Sequence, residues 1–155
     1  MRRRISPLIR RSALGLSLAA LAGCAHELPA PPPFKPVTTI AELMESVIAH
    51  SAEVYWNSVQ VIVDANGVTE LKPQNDEEWE FVWAAALAIA ESGNLLMMAP
   101  RALDDGAWMQ FSRSLVEAGV EAAAAAQAHD VDGVFAAGER VYNVCTACHM
   151  RYIPQ

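Results

Sequence analysis

From Thr39 to about Val63, apolar side chains return at three- and four-residue steps, at Ile40, Met44, Val47, Ile48, Tyr55, Val59 and Ile62, with Ser51 on the same line. That spacing lays one apolar stripe along a helix. Ala65-Asn66-Gly67 supplies the turn that ends it. A second helix is predicted to start at Asn75 or Asp76, where a capping side chain precedes Glu77, Glu78 and Glu80. Acids in a first turn complement the helix dipole. Trp79, Val82, Trp83, Ala86, Leu87 and Ala90 form its buried side, Gly93-Asn94 weakens the pattern, and Pro100 stops it. Asp104 or Asp105 opens a third helix through Trp108, Phe111, Leu115, Ala118 and the run Ala122 to Ala126. Alanine favours the helix and lets neighbours approach closely. Asp130 or Asp132 caps a fourth, which reaches about Tyr152. No alternating strand pattern of useful length lies beyond Pro36.

Four helices with short links over about 115 residues predict an all-α, up-down-up-down antiparallel four-helix bundle. In that arrangement the start of helix one, the end of two, the start of three and the end of four share one end. Met44, Met97, Met98, Trp108 and Met109 then gather at the end that carries the last turn of helix four.

The chain has 155 residues, enough for one compact domain, and 53% of them are hydrophobic, which suits an ordered helical fold. Charge divides it unevenly. Five of the eleven basic residues fall within the first eleven positions, which hold no acid. Beyond residue 23 there are six basic against eighteen acidic side chains, a formal charge of −12. Phosphate backbones repel such a domain, so nucleic-acid binding is not expected. A basic-faced partner protein would be drawn to it, while a merely soluble acidic surface is the plainer alternative.

The basic start, followed by the small apolar run Ala13 to Ala22, has the form of a secretory signal spanning 1–23. The run is about half the ~20 residues that a membrane-spanning helix requires. It ends in Leu21-Ala22-Gly23-Cys24, which resembles a bacterial lipobox, with Cys24 as the lipidated residue. Residues 28–36 read LPAPPPFKP, so 24–37 is a proline-rich spacer between anchor and domain, and the domain itself occupies 38–155. Together these features predict a periplasmic protein held on a membrane as a lipoprotein, exported by the general secretory route.

The remaining two cysteines lie in Cys145-Thr146-Ala147-Cys148-His149. Thiols three residues apart on a helix lie on neighbouring parts of one face, so both can reach the vinyl groups of one porphyrin. The next residue then offers its imidazole to the iron. A structural zinc site needs four ligands, and no second Cys pair or spaced His pair exists. A thioredoxin-type pair belongs early in a mixed α/β domain, and a Cys145–Cys148 disulfide leaves His149 unexplained. One covalent haem c is therefore expected, attached at Cys145 and Cys148, with His149 on the iron. Val131, Phe135, Gly138, Tyr142, Cys145 and His149 share one stripe of the helical wheel. Gly138 on that stripe either admits the porphyrin or marks a close helix contact.

With this motif on a last helix, the chain resembles the class II cytochromes c, the cytochrome c-prime-like family of four-helix bundles. Tyr152 stands where members carry an aromatic three residues after the ligand histidine; Ile153 stands where they commonly carry Arg. The strings ESGNLLMMAPRA and DDGAWM look like those of a subgroup of exported bacterial haem proteins. The resemblance spans residues 38–155 in architecture and the last dozen in motif.

It implies two alternatives for the second face of the iron. Six-coordinate, low-spin relatives place a methionine there from near the start of the first helix and transfer electrons. Met44 has that position, with ordinary core packing as its plainer role. Met97, Met98, Met109 and His50 are weaker candidates; His129 is expected in solvent and His26 in the tether. Five-coordinate relatives bind NO or CO. Electron transfer through a His149/Met44 iron is the expectation, gas binding or sensing the alternative. An enzyme is not expected, since no distal His pairs with an Arg. The four tryptophans read as core, with Trp108 against the porphyrin edge. Relatives often dimerise through the first helix, which leaves a homodimer open.

Overall fold

The computed structural model describes residues 34–153. The signal at 1–23, the lipidation position Cys24, His26 and most of the tether lie outside them.

Helix α1 (residues 40–58) starts on a reciprocal cap. Thr39 Oγ1 accepts from the Glu42 backbone N–H at 3.2 Å, and a Glu42 carboxylate oxygen accepts from the Thr39 N–H at 2.8 Å. The Thr39 N–H and hydroxyl, both donating to that carboxylate at 2.8 Å, hold the Glu42 carboxyl below its usual range. The helix continues without a break through a π-helical stretch, Met44–Ala49, into His50–Ser58. Leu43 and Ile48, five residues apart across this stretch, are both buried.

The expectation of a helix to Val63 is corrected. Val59 is extended, and Gln60–Asp64 (β1) pairs antiparallel with Gly67–Leu71 (β2), Ile62 opposite Thr69 and Val63 opposite Val68. Two residues, Ala65 and Asn66, connect the strands. Every residue from Val61 to Lys72 is exposed, so the hairpin has no buried face.

Helix α2 (Asp76–Met97) is capped by Asn75, whose Oδ1 accepts from the Glu78 N–H at 3.0 Å. Helix α3 spans Ala107–Gln127, starting two or three residues later than Asp104 or Asp105 would have it. Asp104 still serves that start, since its Oδ1 accepts from the Gly106 and Trp108 N–H groups at 2.7 and 3.1 Å. Helix α4 (Val131–Tyr152) is capped by Asp130, which accepts from the Gly133 N–H at 3.0 Å.

The described chain is therefore mostly helical. α1 packs on α2 and α4, and α3 lies against both α2 and α4. Small residues bring α2 and α3 together: a Cβ on Gly119 would stand 2.5 Å from the Ala90 nitrogen, and one on Gly93 2.5 Å from the Ser112 carbonyl oxygen. Tyr55, Ile89, Val134 and Val141 are the largest enclosed side chains, each burying enough surface to stabilise by roughly 1.5–3 kcal/mol. The inward face of α4 is Val134, Ala137, Gly138 and Val141. Phe135 and Tyr142, expected on the buried stripe, are 61% and 57% exposed.

Arg101 is 5% exposed, just past the end of α2. Its guanidinium donates to the carbonyl and the hydroxyl of Thr38 at 3.2 and 3.1 Å, and to the Leu95 carbonyl at 3.2 Å. A cation beside the final carbonyls of a helix is favourably placed, and here it also pins the residue that leads into α1. Among the described residues no helix is long and apolar enough to cross a membrane.

Candidate functional site

A cavity of about 530 Å³ lies between α1, from Met44 to Trp56, the end of α2, the first half of α3 and the end of α4. Its volume lies within the usual range for small-molecule and cofactor sites, about 300–1,000 Å³. One wall is α4, with Cys145, Cys148 and His149 facing the space. Opposing elements contribute Met44, Ile48 and Ala52 from α1, Leu96 from α2, and Trp108, Phe111 and Leu115 from α3. Apart from Glu53 and Ser112, the residues that these elements contribute are apolar or aromatic.

Each wall follows from its local sequence. On α4, positions 145, 148 and 149 fall on one face because i, i+3 and i+4 are neighbours on a helix. Ala52 and Ala49 leave room on the α1 side, where larger residues would fill the space. On α3, the Trp108 indole N–H donates to the Leu96 carbonyl at 2.8 Å, tying the start of α3 to the end of α2. Trp108 is 2% exposed and so forms a fixed wall.

The two thiols are free and partly buried. Burial pushes both above the ordinary 9.0, and the neighbouring Cys148 pushes Cys145 further. They are neutral thiols at neutral pH. The His149 side chain is exposed, and no hydrogen bond or ion pair engages it among the described residues. Two thiols and one unengaged imidazole on the wall of an apolar cavity can fasten a flat, largely apolar group by two bonds and offer nitrogen to a metal at its centre. No cluster of three or more His, Cys, Asp or Glu side chains suited to a bare metal ion occurs among the described residues.

The other expected positions divide clearly. Met44 lines the cavity, at the first position of the π-helical stretch, while Met97, Met98 and Met109 do not. His50 is exposed and faces elsewhere. His129 is exposed but not free of the fold: its ring stacks on Trp79 at 4.8 Å, with a backbone φ of 54°. Trp108 lines the cavity. Gly138 does not; it is where the Trp56 indole rests, donating to the Gly138 carbonyl at 2.9 Å. Gly138 is a close helix contact.

Sequence reasoning did not assign several of the lining residues to the site, Trp56, Met150 and Glu53 among them. Trp56, read as core, lines both this cavity and a second, 450 Å³ groove beside it. Met150 and Glu53 also reach the cavity. Met150, next to His149, carried no periodic signal; Glu53 is one of several acids spaced along α1, with nothing to distinguish it.

A link outside the cavity also bears on it. The Tyr152 hydroxyl donates to Asp104 Oδ2 at 2.5 Å, and the Tyr152 ring stands edge-on to Trp108 at 5.1 Å. The bond lowers the Asp104 carboxyl and, after burial, is the next cause raising the Tyr152 hydroxyl.

Comparison of the chain with protein-family models, curated proteins and solved structures gives no match.

Proposed function

We propose that this chain is an exported, lipid-anchored c-type cytochrome, an up-down-up-down four-helix bundle related to the class II cytochromes c, which binds one covalent haem and carries single electrons. The observation that carries this reading is the cavity in which Cys145, Cys148 and His149 share one wall while Met44 stands among the residues of the others. The donor set suits haem c: two thiols three residues apart, an imidazole on the next residue, and an apolar surround of matching scale. A haem supplies a one-electron couple, and a thioether on its iron favours the reduced state.

The chain's own residues would act as follows. Cys145 and Cys148 fix the group to α4, and His149 presents nitrogen to the iron from the same helix. Met44 offers its sulfur from α1. Ile48, Ala52, Leu96, Trp108 and Leu115 keep water from the enclosed side. The anchor at Cys24 and periplasmic export rest on the leading sequence, and the acidic surface favours a basic-faced redox partner.

Optical spectra of the purified protein, oxidised and reduced, with and without carbon monoxide, test the reading. A low-spin pattern unmoved by carbon monoxide is expected, and Met44→Ala should convert it to high spin. An unchanged Met44→Ala spectrum removes Met44 as ligand. Rapid carbon monoxide binding by the untreated reduced protein would make it a gas-binding protein instead.

A further inference from the structure

We infer that Asp104 is a positioning residue for His149, acting through the hydroxyl of Tyr152; the inference rests on the haem reading above. His149 sits in the last turn of α4, where the Ile153 N–H donates to the His149 carbonyl at 3.0 Å. The final turn of a helix lacks intrahelical partners for its last carbonyls and is the part most prone to fraying. Side-chain ties therefore decide how well a residue there is held.

Asp104 makes such a tie and divides its two oxygens between two tasks. Oδ1 accepts from the backbone N–H groups of Gly106 and Trp108, at 2.7 and 3.1 Å, and so builds the start of α3. Oδ2 accepts from the Tyr152 hydroxyl at 2.5 Å and so holds the end of α4. One carboxylate thus joins the two helix ends that flank the cavity. Tyr152 is three residues beyond His149, a neighbouring position on the helix surface. Its ring meets Trp108 and Phe111 edge-on, with centroids 5.1 and 6.4 Å away, and both of those side chains line the cavity. The start of α3 is itself fastened to α2 by the Trp108–Leu96 bond. The last turn of α4 is therefore referenced to the cavity's own wall, and the rotation of the His149 imidazole about the helix axis is set by it.

The test separates positioning from support. Tyr152→Phe keeps the ring and its edge contacts and removes only the hydroxyl. Asp104→Asn keeps an oxygen for the two N–H groups and replaces the acceptor facing Tyr152 by an amide donor. Both are compared with the parent as full-length holoprotein. In the oxidised protein, the proton NMR shifts of the haem methyl groups report the orientation of the axial imidazole plane. Tyr152→Phe is expected to redistribute those shifts and to move the midpoint potential; Asp104→Asn should move both in the same direction, and the double variant should add little beyond Tyr152→Phe. Unchanged methyl shifts and potential, even with a lowered melting temperature, would overturn the inference and leave the bond a structural one. If Tyr152→Phe does not accumulate, Asp104→Asn carries the same decision. A purified parent chain whose mass lacks a covalently added haem overturns the functional reading and this inference together; haem present with unmoved spectra overturns the inference alone.

Discussion

The indole N–H of Trp56 donates to the Gly138 carbonyl at 2.9 Å, and a Cβ on Gly138 would stand 3.1 Å from Trp56 Cδ1. α1 and α4 are thus joined where the ring lies against the bare backbone of Gly138. Gly138→Ala gains helix propensity of about 1 kcal/mol, but the indole cannot retreat without stretching its own bond. A net loss of stability is expected. Trp56→Phe gives up the hydrogen bond, about 1 kcal/mol, and leaves a gap between the cavity and the adjoining groove. Urea denaturation of both variants measures the two effects; a stabilised Gly138→Ala would show that the indole moves freely.

The contact between α2 and α3 is less forgiving. A methyl at Gly119 would lie 2.5–2.8 Å from the backbone and Cβ of Ala90, where nothing is a flexible side-chain tip. Gly119→Ala should lower stability by roughly 1–3 kcal/mol, the usual cost of overpacking, despite its better helix propensity. Chemical denaturation decides it, with Val120→Ala as an exposed control on the same helix.

The hairpin predicts the opposite outcome. Residues 61–72 are all exposed, and an isolated two-stranded ribbon adds little stability in water. Replacing 60–71 with a short Gly/Ser link should shift the unfolding free energy by no more than about 1 kcal/mol, since loop closure depends weakly on length. A collapse of helicity in circular dichroism would show that the strands support the helices after all.

The thiols give a pH dependence before any group is attached to them. Burial, with the added effect of Cys148 on Cys145, raises both above the ordinary 9.0. As pH rises past that value, the unfolded chain releases protons that the folded chain retains. The stability this contributes is complete below 9.0 and is lost as pH climbs through the folded values. Thermal melts of the haem-free chain between neutral pH and pH 10 should fall, and Cys145→Ser/Cys148→Ser should flatten the fall. Alkylation by iodoacetamide at neutral pH should be slower in the folded chain than in a denatured control.

Much of the helical skeleton was legible because its signals are local. Asn75 and Asp130 cap their helices as their positions suggest, and the Cys145–Cys148–His149 spacing places three groups on one wall. The place of Met44 on the cavity wall was legible from its stripe and its end of the fold. The hairpin was not, because period-two alternation arises only when one face of a strand is buried. Here Val61, Ile62 and Val63 are apolar in succession and all exposed, so no alternation marks the strand and Ile62 extends the helical stripe instead. The face of α4 was misread by one residue, a turn of about 100°, because Phe135 and Tyr142 outweigh Ala137 in apolar size. Small residues face the neighbouring helices there, which a wheel weighted by hydrophobicity cannot show. The Asp104–Tyr152 bond joins residues 48 apart in the chain, and no local pattern records it.

The buried Arg101 guanidinium has a mechanical consequence. It holds both the carbonyl and the hydroxyl of Thr38, immediately before the Thr39 cap. A pull delivered through the leading residues meets this clamp first and is passed to the end of α2 through the Leu95 carbonyl. Part of such a load is thereby shared with α2 before it reaches Met44 on α1.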